Sequence, residues 1–168
     1  MVVTMSFQVR PAVLDDAAGI AAIRNHYILG SDCTMQTVPV SAEEERAWLE
    51  AHGAAFPVLV AESAAGIVGY ASLSSYRPRP AYACTVEDSV YVREELQGRG
   101  IGHALLSALI AEGREHGFHS IVGIIGARQE ASLRLHRRHG FQDVGTLREA
   151  GFKFGRYLDI SFLQLILE

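Results

Sequence analysis

The chain has 168 residues, 49% of them hydrophobic, and a formal net charge of −4. That length buries a core without disulfides or metal and predicts one domain spanning 1–168, with residues 1–6 as a disordered leader. The acidic balance leaves no basic field for nucleic acid, the most apolar windows are strand-length rather than membrane-spanning, and two distant cysteines, Cys33 and Cys84, fit no zinc or redox spacing, so a reducing, cytoplasmic setting is expected.

The opening Met1-Val2-Val3-Thr4-Met5 lacks the basic start and long apolar run of a targeting signal, and Met5 is an alternative start. Phe7–Arg10 reads as a first strand ending at Pro11. Asp15 or Asp16 is expected to cap a helix running to about Leu29, with Ile20, Ile23 and Tyr27 on one face. Gly30–Val40 is a Ser/Thr/Pro loop. Ser41 with Glu44 forms a capping-box pattern, opening a second helix whose apolar face carries Trp48 and Leu49.

Pro57–Glu62 and Ile67–Tyr76 read as a hairpin turning at Ser63–Gly66. Arg77–Ala81, with two prolines, is a loop. Thr85–Val92 is a strand and Gly100–His116 a helix, with Ile101, Leu105, Ala108 and Leu109 as its buried stripe and Gly117 as its stop. Ser120–Ile125 is a buried strand. Glu130–His139 is a short helix ended by Gly140. Phe141–Leu147 and Leu158–Leu167 close the sheet. The order β-α-α-β-β-β-α-β-α-β-β predicts an α/β (α+β) fold around one mixed, mostly antiparallel sheet, not a doubly wound repeat.

The most informative stretch is Val90–Gly102. A strand ends, a glycine-punctuated turn follows, and a helix begins, so unpaired N–H groups and the helix dipole favour a bound phosphate. A P-loop needs Gly-Lys-Ser/Thr at its end, and this one ends Gly102-His103-Ala104. A dinucleotide fold needs G-x-G-x-x-G early in the chain and an acid closing the next strand, and both are missing. The third reading is Gln97-Gly98-Arg99-Gly100-Ile101-Gly102 as the Q/R-x-x-G-x-G/A loop of acyltransferases.

Three further stretches accompany that loop: Thr85–Val92 before it, Ala131–Phe141 one strand later, and Gly151–Asp159 near the end. Together they resemble the phosphinothricin/methionine sulfoximine acetyltransferase branch of the GNAT superfamily, from about Val9 to Leu167. The resemblance implies acetyl-CoA-dependent N-acetylation of a small amino acid or analogue. It implies main-chain bonds from Val90, Tyr91 and Val92 to the pantetheine arm, and a pyrophosphate held by Gly98, Arg99, Gly100, Ile101, Gly102 and His103. Gln129 stands where relatives carry a cofactor-touching Asn. Arg138 reads equally as a phosphate contact or a solvated arginine.

For the chemistry, Glu87 is the first candidate base, in an otherwise apolar strand where desolvation raises its pKa; the alternative is a salt-bridged strand carboxylate. His136 is the second, as proton donor to the departing sulfur or partner of the base, against a satisfied half-buried side chain. His136 and His139 form H-x-x-H without a third ligand, so no metal is expected. By resemblance, the loop with Arg77, Pro78, Arg79 and Tyr82 takes the acidic end of the substrate, against a reading of Arg77 and Arg79 as exposed loop arginines; Asp88 and Ser89 line the same pocket, and Met35 forms an apolar wall. Lys153 and Arg156 serve the pocket or a subunit contact, and a homodimer is implied. Neither a nucleic acid nor a membrane is an expected partner. The alternatives are another amine or peptide acceptor, or an inactive acyl-CoA-binding module.

Overall fold

The computed structural model describes residues 6–126 and 128–168. Residues 1–5, most of the expected leader, lie outside the described residues. Seven strands form one sheet: β1 (Phe7–Pro11), β2 (Val58–Ser63), β3 (Gly66–Ser75), β4 (Thr85–Val92), β5 (Ser120–Gly126), β6 (Gln142–Lys153) and β7 (Arg156–Ile166). Their order across the sheet is β1-β2-β3-β4-β5-β7-β6. Every pairing is antiparallel except β4 with β5. A parallel pair needs a crossover, and α3 (Ile101–Glu115) supplies it.

The helices α1 (Ala17–Gly30) and α2 (Ala42–His52) cover one face, and α3 covers the other. The short α4 (Glu130–Arg138) packs beside α3 at the β5 edge of the site. Strand alternation sends Val58 and Val60 toward α1 and α2, and Leu59 and Ala61 toward α3. Ile101, Leu105, Leu106 and Leu109 are the buried stripe of α3. Truncating one such leucine to alanine costs about 2–5 kcal/mol.

Three details depart from the sequence reading. Asp16 stands at the N-cap position of α1, but its side chain makes no capping bond. Its carboxylate accepts the Val13 N–H (2.8 Å) and two bonds from Arg10 (2.7 and 2.9 Å), anchoring a 3₁₀ turn over Leu14–Asp16 that feeds the helix. The strand expected to stop at Leu147 runs to Lys153. It passes through a bulge where Glu149 takes φ 55° and its N–H donates to Asp159 Oδ1 (2.8 Å). The bulge breaks the two-residue alternation, hiding the continuation. The last strand likewise starts at Arg156, so Gly151–Asp159 is the tip of a β-hairpin, turning at Phe154 and Gly155.

No described helix is long and apolar enough to cross a membrane. Neither Cys33 nor Cys84 is in a disulfide.

Candidate active site

β4 and β5 are paired over four rungs only, Thr85–Asp88 against Ser120–Gly123. Beyond Gly123 the strands part, although β4 continues to Val92 and β5 to Gly126. The direction of the freed backbone groups follows from the alternation of β4. Cys84 C=O accepts from the β5 side (His119 and Ser120 N–H), while Arg93 N–H donates to Val68 O of β3. Even-numbered residues of β4 therefore turn their N–H and C=O groups toward β5. Beyond the last rung those are the groups of Val90 and Val92. The Val92 carbonyl already accepts the Tyr27 hydroxyl, so Val90 N–H and C=O and Val92 N–H are open to a ligand.

This corrects one expectation. The Tyr91 backbone faces β3, where Tyr91 pairs with Tyr70, so only Val90 and Val92 offer main-chain bonds to the split. The Tyr91 side chain instead lines the cavity on the α1 side.

The loop after β4 ends at Gly100, which takes φ 85° as the residue before α3, with Gly98 at φ 75°. Such angles cost an L-residue about 1–2 kcal/mol, and glycine adopts them freely. The first helical hydrogen bond is Ala104 N–H to Gly100 O. The Ile101, Gly102 and His103 N–H groups thus lie in the unsatisfied first turn, at the positive end of a 15-residue helix. Gln97 donates to Tyr27 Oη (2.8 Å), tying the loop to α1.

One cavity of about 1040 Å³ connects these features. On the β5 side it is lined by Val90, Val92, Gly98, Gly100–His103, Gln129 and Arg138. On the α1/α2 side it is lined by Glu87, Ser89 and Tyr91, by Tyr70, Ser72 and Ser74 of β3, and by Met35. Burial raises the Glu87 carboxyl above its ordinary range, the neighbouring Asp88 charge adds to the effect, and Arg77 opposes it. A carboxylate so placed is a proton acceptor poised closer to neutrality.

Asp88 lines the same cavity from its α4 side, together with His136. It points to the opposite face, buried, and Asp88 Oδ2 lies 2.8 Å from His136 Nε2. His136 Nδ1–H donates to Ser132 O (2.8 Å). Both ring nitrogens therefore face acceptors, and the charge and hydrogen bond of Asp88 lift His136 above its ordinary value against the opposing effect of burial. His136 lines the cavity with both ring nitrogens engaged by these internal partners. The pair sits on the Asp88–Gly123 rung, the last before the strands part. A Cβ on Gly123 would lie 3.2 Å from His136 Cδ2 and 3.3 Å from Asp88 Oδ1, so glycine makes room for the pair.

Arg77, Pro78, Arg79 and Tyr82 are exposed and do not line the cavity, and neither does Arg99. Arg77 lies over the Tyr76 ring, 5.1 Å from its centroid. The Gln129 amide is also committed elsewhere, donating to Asp32 Oδ1 (2.8 Å). Arg156 bonds the other Asp32 oxygen, and Lys153 Nζ donates to Ser31 O (2.6 Å) and Thr34 O (2.9 Å). The β6–β7 hairpin tip thereby clamps the loop that presents Met35.

Sequence reasoning missed Arg24 and assigned Trp48 only to packing, yet both line the cavity. A signal for Arg24 existed: it lies at i+4 from Ile20, inside the apolar stripe of α1. Cys33, Thr34 and Gln36, also on the wall, sit in a loop without periodicity and carried no signal. Among the described residues no three His, Cys, Asp or Glu side chains converge as metal ligands would.

Residues 23–141 match the model of the acetyltransferase (GNAT) family. The chain is 42% identical over 166 residues to an L-methionine sulfoximine/L-methionine sulfone acetyltransferase of Pseudomonas paraeruginosa, covering 98% of this chain and 96% of that one. It is 42% identical to a phosphinothricin N-acetyltransferase of Streptomyces coelicolor, covering 96% of each. Its fold superimposes on the yncA protein of Salmonella typhimurium, solved with its cofactor acetyl-CoA, with a TM-score of 0.94 and 39% identity over 96% of this chain and 94% of that one.

Proposed function

Because the chain belongs to the acetyltransferase (GNAT) family, we propose that it transfers the acetyl group of acetyl-CoA to the amino group of a small amino acid of the methionine sulfone, methionine sulfoximine or phosphinothricin kind. The observation that carries this reading is the parting of β4 from β5. It leaves Val90 and Val92 backbone groups, the first turn of α3 and the Glu87 carboxyl around one cavity.

The open backbone groups and the glycine loop fit a thioester on a pantetheine–diphosphate arm, which supplies the activated acetyl group when bound. Ile101, Gly102 and His103 N–H groups would hold the diphosphate, helped by the helix dipole. Val90 N–H would face the thioester oxygen, whose growing negative charge it stabilises. Glu87, directly or through one water, takes a proton from the substrate ammonium so that the nitrogen attacks as a free amine. The Asp88–His136 pair acts as a positioning device that fixes where β4 leaves β5.

The same reading places the protein in the cytoplasm as a homodimer, with neither nucleic acid nor membrane as partner. The β6–β7 hairpin supports the dimer, since Val144, Leu147, Phe152, Phe154 and Tyr157 are exposed on it, an apolar surface that favours a protein contact.

The test is thiol release with methionine sulfone, methionine sulfoximine and phosphinothricin as acceptors. Turnover of at least one is expected. Binding of acetyl-CoA without turnover of any amine would leave an acyl-CoA-binding module instead.

A further inference from the structure

Among the described residues Arg24 is the one cationic side chain on the α1/α2 side of the cavity, and its setting is unusual for an arginine. Its guanidinium carbon lies 4.4 Å from the Trp48 ring centroid and 5.5 Å from that of Tyr70. Nη2 donates to Glu45 Oε1 (2.9 Å), and that carboxylate is itself almost fully buried, its side chain 1% exposed. Nε is sealed against the rings and has no hydrogen bond. Among the described residues Nη1 makes no hydrogen bond of its own to a carboxylate or carbonyl and, unlike Nε, is not sealed; the Tyr70 hydroxyl is the one protein group near enough the guanidinium to share it. The planar head is thus held flat by stacking and by one ion pair, with a single donor edge left over at the cavity wall.

Trp48, Tyr70, Ser72 and Ser74 line the same cavity between this donor and Glu87. Ser74 stands opposite Glu87 across β3 and β4. Its hydroxyl donates to His52 Nε2 (2.9 Å), because His52 Nδ1–H is spent on Trp48 O (3.0 Å). The His52 ring packs on Trp48, with centroids 4.0 Å apart. A small amino acid with its nitrogen at Glu87 would have the Arg24 donor on the wall of the same cavity.

A buried ion pair rarely repays its desolvation, and apolar residues of like volume often serve stability better. A role limited to stapling α1 to α2 leaves the open donor edge without purpose. Glu45 also cancels much of the Arg24 charge locally. The edge is therefore suited to a strongly polar oxygen and does not require a full negative charge.

Resting on the acetyltransferase reading above, we propose that Arg24 is the specificity-determining residue for the acceptor, donating from Nη1 to a sulfonyl, sulfoximine or phosphinyl oxygen on the substrate side chain. It selects amino acids oxidised at the side-chain heteroatom over their unoxidised parents.

The experiment compares kcat/KM for methionine sulfone and methionine, whose ratio does not depend on how much of a preparation is folded. Wild type is expected to favour the sulfone. Arg24→Met alone leaves Glu45 buried and unpaired, so the Arg24→Met/Glu45→Leu double variant, which removes both charges, is measured beside it. In both variants the ratio should fall at least about tenfold, the scale of one lost charge-assisted bond. The loss should come mainly through KM for the sulfone and exceed any loss with methionine, while acetyl-CoA affinity holds. Equal loss with both substrates, as a mere helix staple would give, overturns the proposal, as does a wild type that does not discriminate. A wild type that acetylates neither, while binding acetyl-CoA, overturns the acceptor reading itself and this assignment with it.

Discussion

Glu87 and Asp88 are adjacent carboxylates that face opposite sides of one strand. Glu87 looks into the cavity beneath α1 and α2, while Asp88 is buried against His136 beneath α4. The pleat alone separates them. One stays unpaired and is desolvated, which suits a base; the other is neutralised at the rung where the sheet opens. Substitutions at the two positions should therefore fail in different ways.

Glu87→Gln should lower turnover at least about tenfold, the lower range for losing a general base, with acetyl-CoA affinity unchanged by calorimetry. The stability effect has the opposite sign. A carboxyl whose folded-state pKa is raised makes the native state progressively less stable as pH climbs from its ordinary value of 4.5 through the folded one. The glutamine variant escapes that loss, so its melting temperature at neutral pH should match or exceed wild type. The rising limb of the wild-type pH–rate profile should lie above the ordinary carboxylate range.

Asp88→Ala removes one partner of a buried pair, a change that costs about 3–5 kcal/mol in urea unfolding. His136 has a folded-state pKa raised above its ordinary 6.5. Its contribution is therefore present in full below that value and is lost as pH rises through the raised one. The difference between wild type and Asp88→Ala should accordingly be larger at about pH 6 than at about pH 9. A difference independent of pH would mean the histidine is uncharged in both.

Gly100→Ala adds a Cβ that meets no atom within 4 Å, so its whole effect is backbone strain at φ 85°. About 1 kcal/mol is expected. If the loop relaxes to escape the strain, acetyl-CoA binding should weaken by about fivefold, as calorimetry would measure.

Lys153→Met keeps the volume but deletes two bonds to the Ser31 and Thr34 carbonyls. The Met35 loop should loosen, raising KM for the amine by about fivefold, the scale of one net hydrogen bond, while acetyl-CoA affinity holds. Equal loss of both would show that the clamp supports the whole cavity.

Phe152→Ser with Tyr157→Ser breaks the exposed apolar surface of the hairpin. The pair stacks edge to face with centroids 5.1 Å apart. Light scattering should show a dimer for wild type and a monomer for the variant. A monomeric wild type would remove the dimer from the reading.

Much of this was legible in the chain. Short-range rules act within a few residues, so the helices, the hairpin of β2 and β3, the Ser41–Glu44 capping box and the glycine-punctuated turn before α3 could be read directly. The family motifs were legible for the same reason, as each is one contiguous stretch. What stayed hidden depends on distant segments meeting. Arg24 becomes a cavity donor only because Glu45 and Trp48 of another helix hold it flat. His136 is paired only because Asp88, 48 residues away, meets its Nε2. Gln129 turns from the cofactor side to Asp32 because a hairpin from the end of the chain draws that loop in. Local propensity and periodicity decide which elements form and which faces are apolar. Which polar groups are spent on one another, and which are left open to a substrate, is decided only when the faces pack.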